Sequence, residues 1–347
     1  MPGTIKQIAQ MAGVSRGTVD RVLNKRGRVD SQVALRVEQI AEELGYLTRT
    51  QRKAGARQGL SGLGCQKRIG VVTQLSGASF MIEVRRGIEE IARKLAFQGI
   101  DVVLKECPDV DKDMQLKRID ELVEEGIDGL AIMPVDCAAI ALRLNQLIRE
   151  KGIPVITFNT DIVGVEKTAF VGLDNRKSGR AAAGLLAMMM QGKGSVLGIV
   201  GNFSNSAGMQ RIDGFTEELK KSFPGMTLIG IQPSSDRTAQ VASIITQTLS
   251  AFPDLGGILQ ISGGQAGIRQ AFAELDGRLR PHVVMYDATP KNAALLKEGM
   301  ADFIIDQDGY TQGYRTISLL ADKLRWDREP DKEYMYTDIN IRTRYTC

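Results

Sequence analysis

The sequence predicts a small all-α helix-turn-helix unit followed by an α/β body built as two doubly wound parallel-sheet lobes. Three observations predict it. The first 47 residues hold three short amphipathic patterns separated by turn residues, whereas short apolar runs alternate with helical patterns from Arg68 onward. The charge divides at the same place: Met1 to Arg68 carries 13 Lys plus Arg against 5 Asp plus Glu, and the remainder 32 against 36. Strands alternating with helices favour parallel sheets covered on both faces, and a body of about 280 residues outgrows one hydrophobic core.

Taken in order, Thr4 can cap a first helix, whose apolar face is Ile5, Ile8, Ala9 and Met11. Gly13 supplies a turn, since a positive φ costs glycine little. Ser15 caps a second helix with Val19, Val22 and Leu23 inward and Arg16, Gly17, Asp20 and Arg21 outward. Asp30 or Ser31 opens a third, which buries Val33, Val37, Ile40, Ala41 and Leu44 and stops at Gly45. A tight turn between the first two helices is the helix-turn-helix pattern, and outward arginines there suit guanine edges or phosphates. The basic front points to a polyanion.

Residues 48–67 are rich in Gly, Arg, Lys and Gln and read as a linker. The body then shows RIGVVTQ, DVVLKE, GLAIMP, IPVITFN, TAFVGL, SVLGIV, MTLIGI, GGILQI, HVVMY and DFIID as strands among helical runs, among them Phe80 to Phe97. Ligands of open parallel sheets collect beyond the carboxyl ends of the strands. Asn159, Asp287 and Gln307 follow strands directly, a mixed donor and acceptor set that suits a polyhydroxylated ligand. Phe80 and Tyr286 are placed to cover the apolar faces of a sugar ring. The run Met188, Met189, Met190 is expected to pack a helix into the core.

Composition excludes other classes. Apolar residues make up 43% and charged residues 25%, a folded-domain balance. No apolar run reaches the ~20 residues that span a bilayer, and MPGTIKQIAQ lacks the apolar core of a secretory signal, so a cytoplasmic chain with no membrane partner is expected. Cys65, Cys107, Cys137 and Cys347 are scattered, and His282 is the single histidine. A metal site, a cofactor site or a hydrolytic triad therefore has little to build on, and neither an enzyme nor a cofactor is expected. ISGGQAG resembles a phosphate-binding turn only faintly.

TIKQIAQMAGVSRGTVDRVLN, with the later RVEQIAEELGY, resembles the DNA-binding headpiece of the lac-repressor (LacI/GalR) family, its core being AGVS-x-x-TV-x-RVLN. The resemblance implies base reading by Arg16 and Gly17, a further base contact from Arg21, and Ser15, Thr18 and Asn24 nearer the phosphates. Thr4, where the match begins, counts with the DNA-binding residues. In the family the linker folds on DNA into a hinge helix whose leucine wedges into the minor groove. Leu60 is the first candidate and Leu63 the second, although Gly55, Gly59, Gly62 and Gly64 each weaken helicity by about 1 kcal/mol. Asp20 stands where many relatives carry serine, so the operator sequence cannot be borrowed from them.

The body resembles type I periplasmic sugar-binding proteins of the ribose class. That implies a headpiece (1–47), a linker or hinge (48–67) and an effector domain (68–347). Its lobes would comprise about 68–173 with 308–330, and 174–307 with 331–347, the chain exchanging lobes near Leu173, Asp308 and Pro330. Phe80, Asn159, Asp287 and Gln307 fall on ligand-contacting positions, and Arg211 on an arginine that clamps effector hydroxyls. Ser262 replaces a frequent asparagine, Met81 a second aromatic, and Ala78 an asparagine. The implied protein is a transcriptional regulator, expected to be a repressor and a homodimer on a near-palindromic operator, controlled by a sugar, polyol or sugar phosphate. A solute-binding protein of a sugar transporter is the alternative.

Overall fold

The computed structural model describes residues 5–23, 29–43, 67–203, 205–275 and 279–347. Thr4, Asn24, Leu60 and Leu63 lie outside the described residues. The chain divides into two compact units, Met1–Gln66 and Lys67–Cys347.

The first unit contains α1 (Ile5–Ala12), α2 (Arg16–Leu23) and α3 (Ser31–Glu43). Ile8, Ala9 and Ala12 of α1, Val19 and Val22 of α2, and Val37, Ile40 and Ala41 of α3 form one buried cluster. Met11 does not belong to it: it is 51% exposed. Ala12, one turn beyond Ile8, takes the inward place, and the flexible side chain of Met11 turns to solvent. Gly13 makes the turn at φ +67°, and the Val14 amide donates back to the Ala9 carbonyl at 3.0 Å. Ser15 Oγ accepts from the Thr18 amide at 3.1 Å and caps α2, and Asp30 Oδ1 accepts from the Val33 amide at 3.2 Å and caps α3.

The second unit holds two six-stranded sheets. In the first, β1 (Lys67–Thr73), β2 (Ile100–Glu106), β3 (Gly129–Ile132), β4 (Val155–Phe158), β5 (Ala169–Leu173) and β11 (Tyr334–Thr337) lie in the order β11-β5-β4-β3-β1-β2, all parallel. In the second, β6 (Gly194–Val200), β7 (Met226–Pro233), β8 (Leu255–Gln260), β9 (His282–Tyr286), β10 (Phe303–Asp306) and β12 (Asn340–Arg342) run β12-β10-β9-β8-β6-β7, and β12 alone of the sheet's strands is antiparallel to its neighbour.

Helices α4 (Met81–Ala96), α5 (Lys112–Glu124), α6 (Ala138–Lys151) and α12 (Gly309–Trp326) cover the first sheet. Helices α7 (Asn175–Met189), α8 (Ser206–Ser222), α9 (Thr238–Ala251), α10 (Ala266–Phe272) and α11 (Pro290–Lys297) cover the second. Each sheet separates two apolar clusters, one per face, so its central strands read as unbroken apolar runs. α4 shows why such segments become helices: Met81, Val84, Ile88, Ile91 and Leu95 recur every three or four residues and are all buried.

The chain passes between lobes after Leu173, between Asp306 and Gly309, and between Thr337 and Asn340. The last passage corrects the expectation near Pro330: residues 334–337 complete the first sheet rather than joining the second. Packing of α12 against α4 leaves the chain beside β5. There Tyr334–Thr337 alternates, with Met335 and Thr337 buried and Tyr334 and Tyr336 exposed. Met188 is also corrected, being 70% exposed, while Met189 and Met190 pack on the core. Among the described residues, no helix is long and apolar enough to cross a membrane.

Candidate functional site

In the first unit, Ser15, Arg16, Gly17 and Arg21 are exposed along α2, and Thr18 is half-buried. The Ser15 and Thr18 hydroxyls are 3.0 Å apart, and Arg21 Nε donates to the Gly17 carbonyl at 3.2 Å. That bond holds the arginine along its own helix while leaving its other donors unassigned. The Gly17 position is open, since an added Cβ would meet only Ser15 Oγ at 3.7 Å.

In the body, strand ends of both lobes enclose a cavity of about 740 Å³. Phe80, Met81, Asn159, Arg211, Ser262, Asp287 and Gln307 line it. Tyr286 does not, which corrects the reading of it as a ring-covering residue. The last residue of β9, it faces the core, fully buried, with the Arg211 guanidinium 4.2 Å above its ring. Phe80 is the aromatic side chain among the described lining residues. Its ring fits because Gly309 has no side chain, where a Cβ would come within 2.9 Å of it.

Arg211 is 6% exposed and spends its guanidinium on fixed partners. Nε donates to Asn175 Oδ1 at 2.8 Å, Nη2 to Gln307 Oε1 at 2.6 Å and Nη1 to the Ile261 carbonyl at 3.3 Å. Asn175 and Gln307 stand where the chain first and second passes between lobes. A buried guanidinium needs such partners because its desolvation costs several kcal/mol, and burial lowers its pKa from the usual arginine value. Helices α7 and α8 approach closely enough to set this geometry: a Cβ on Gly179 would overlap the Arg211 carbonyl, and one on Gly214 that of Arg176. Asp213 and Glu217 do not hold Arg211; both pair with Arg176.

The hydrogen-bond polarity of the wall follows from groups that can act in only one way. Gln312 Nε2 donates to the Gln307 backbone carbonyl at 2.9 Å, so Gln312 Oε1 must be the atom that receives Asn159 Nδ2, at 3.0 Å. The Asn159 carbonyl oxygen and its second amide proton are what that side chain has left to offer. Gln307 Nε2 donates to Asp287 Oδ1 at 2.5 Å, and its carbonyl oxygen receives Arg211. The Gln307 backbone carbonyl also accepts from Thr337 Oγ1 at 3.0 Å, beside the third passage. Ser178 Oγ donates to the Asn175 carbonyl at 2.8 Å, so the Tyr286 hydroxyl, 2.9 Å away, donates to the serine. Burial pushes the Tyr286 pKa up to about 12, which keeps that proton in place.

Asp287 keeps part of its surface open to the cleft, yet its packed surroundings push its carboxyl above the usual value of 3.8, against the opposing pull of Arg211 and Gln307. Thr289, not Asp287, caps α11. Leu75, Asn159, Asp236 and Asp287 line the cavity with φ between 53° and 72°, left-handed conformations that concentrate at functional walls.

Sequence reasoning missed Gln74, Thr160, Asn205, Asp236, Gln265 and Lys291, which also line the cavity. Gln74 directly follows a strand, the one signal that could have found it. Asp236 comes from the β7–α9 turn, where nothing in the local pattern marks it.

Residues 4–49 match the family described as bacterial regulatory proteins, lacI family, and residues 69–328 match the periplasmic binding protein domain. The chain is 28% identical to the maltose regulon regulatory protein MalI of Escherichia coli, over 74% of this chain and 70% of that protein. It is 27% identical to a putative rhizopine-binding protein of Rhizobium meliloti, over 67% of this chain and 77% of that one. The glucose-galactose binding protein GanP of Geobacillus stearothermophilus shares the body's fold, with a TM-score of 0.73 at 20% identity, covering 81% of this chain and 98% of that one. Fold and cleft thus define a periplasmic-binding-protein body behind a helix-turn-helix headpiece. The chain belongs to the lacI family of bacterial regulatory proteins. It is a DNA-binding transcriptional regulator whose body is a small-molecule-binding domain.

Proposed function

We propose that this regulator represses transcription as a cytoplasmic homodimer, and that a small sugar or polyol held between the lobes controls its operator affinity. The observation that carries the reading is the Arg211 fork. It joins Asn175 and Gln307, on two of the passages between lobes, and Gln307 in turn touches Asp287 in the cleft wall. A ligand bonded to Asp287 or Arg211 acts on the segments about which the lobes turn. The carboxylates, the amides and the one aromatic among the described lining residues match a ligand with many hydroxyls and small apolar faces.

On α2, Arg16 and Arg21 read bases in the major groove, Gly17 lets the helix approach closely, and Ser15 and Thr18 lie toward phosphate. Two headpieces related by a twofold axis read a near-palindromic site. The matches of the body to solute-binding proteins favour a transport role for a body standing alone; the headpiece favours DNA. Footprinting of genomic fragments, with and without a panel of pentoses, hexoses, polyols and their phosphates, tests the reading. Protection of a palindrome that one compound weakens or strengthens is expected; a chain that protects no site at any ligand concentration overturns it.

A further inference from the structure

We infer that a second cavity, beside the first passage between lobes, is a binding site for a small organic cation that also carries hydroxyl groups, an amino sugar or amino alcohol. The inference stands independently of the sugar-effector reading of the cleft. This cavity measures about 390 Å³; Asp136, Asp161, Tyr334 and Tyr336 line it from one lobe, and Asn175 and Ser206 from the other. Its aromatic wall follows from the register of β11 on β5. Tyr336 lies opposite Gly172, and the missing side chain makes room for the Phe170 ring, which a Cβ there would overlap. The Phe170 ring centroid is 6.0 Å from that of Tyr334 and 6.3 Å from that of Tyr336. Phe170 is buried beneath the pair, while Tyr334 and Tyr336 stay 41% and 47% exposed.

The face of an aromatic ring attracts cations, and this wall already holds one. Lys167 Nζ lies 5.3 Å from the Tyr334 ring centroid and 3.2 Å from Asp161 Oδ2, with its side chain 4% exposed. Tyr336 has no such cation among the described residues. Burial raises the Tyr336 pKa, and the charges of Asp174 and Asp161 raise it further, so its ring stands in a negative field. Asp174 gives one oxygen to the Lys177 amide, and Asp136 is exposed, with no ion pair or side-chain hydrogen bond among the described residues. Carboxylate oxygens are thus left for a ligand. Arg176 is the one cation among the described lining residues, and Asp213 and Glu217 already pair with it.

A buried side chain supplies the second half of the recognition. Asn175 is 5% exposed, and its Oδ1 accepts from Arg211 Nε, which can only donate, so the amide is fixed in orientation. Its Nδ2 has no partner among the described residues, yet it is not sealed off, and the cavity that Asn175 lines is this one. An amide donor so placed asks for an oxygen, which a hydroxyl group of the ligand provides. An occupant bonded there touches the side chain that positions Arg211.

The test is calorimetry on the full chain, in mildly acidic buffer, with D-glucosamine, D-galactosamine, D-mannosamine and choline. Each is set against its uncharged counterpart: D-glucose, D-galactose, D-mannose and 3,3-dimethylbutan-1-ol. At least one amine is expected to bind about tenfold or more tightly than its counterpart. The double variant Asp136→Asn, Asp174→Asn is expected to lose about tenfold or more of that affinity, because it removes two charges while asparagine still caps α7. Tyr336→Leu, which alters an exposed ring, is expected to lose a similar factor, and it decides the matter if the double variant does not fold. Amines that bind no better than their uncharged counterparts overturn the inference. So does an amine whose affinity survives these substitutions, since it is then held elsewhere. Either result leaves the sugar reading of the cleft standing.

Discussion

At the scale of single residues, the body turns on groups with a fixed direction of hydrogen bonding. Arg211 meets three acceptors that no smaller donor can span, because a planar fork is matched to them. Arg211→Lys is expected to lower the stability of the body by about 2–4 kcal/mol, since at least two buried acceptors lose a charged donor. Urea unfolding of the purified variant measures it, and an unchanged midpoint would remove Arg211 from the account. Asp287 supplies a pH signature. A carboxyl whose folded-state pKa is raised holds its proton longer in the folded chain. Its contribution to stability is therefore full below the unfolded value, near 3.8, and is lost as pH rises through the raised value. Asp287→Asn removes that loss and suits the left-handed backbone at φ 72°. The variant is expected to melt above the wild-type chain at neutral pH, the gap closing below about pH 4. A gap independent of pH contradicts this. Most of these residues were visible in the sequence as polar side chains after strands. Tyr286 was not readable, because the alternation that sends one strand-end side chain to the cleft sends its neighbour to the core.

At the scale of elements, the headpiece was legible nearly helix by helix. Gly13, Ser15 and Asp30 punctuate it chemically, and its inward apolar positions recur at helical spacing. Gly13→Ala meets nothing within 4 Å, so its cost is the left-handed backbone alone, about 1 kcal/mol of headpiece stability. A thermal melt of the variant followed by circular dichroism checks it. Arg21→Ala removes an exposed group whose one intrahelical bond is to Gly17, so helix stability is expected to hold while operator binding weakens by about 1–3 kcal/mol per half-site. Titration of a labelled operator decides, and unchanged affinity would take Arg21 out of the base-reading set. The two final strands escaped the sequence. Tyr334–Thr337 and Asn340–Arg342 are short edge strands in which Tyr334, Tyr336 and Ile341 are exposed, and nothing local tells which sheet each will join. Membership is decided by where α12 has left the chain.

At the scale of the molecule, two lobes were readable from ten apolar runs in alternation with helices, and the basic front from charge alone. The third passage between lobes was misplaced, because a passage has no composition of its own. So was the extent of the cleft, whose walls gather residues from turns far apart in sequence. Three passages meet around Gln307: Asn175 through Arg211, Gln307 itself, and Thr337 through its hydroxyl. On the proposed function, a ligand that draws the lobes together acts on the segments that relate one lobe to the other. A coupling between ligand and DNA must act equally in both directions, with a typical size of ~1–3 kcal/mol. The direct measurement is operator affinity of the full chain, by fluorescence anisotropy, at zero and at saturating concentration of a sugar that raises its melting temperature. The account predicts a change of roughly 5- to 150-fold, matched by the same factor in sugar affinity when operator is present. Identical operator affinity with and without the bound sugar would contradict it.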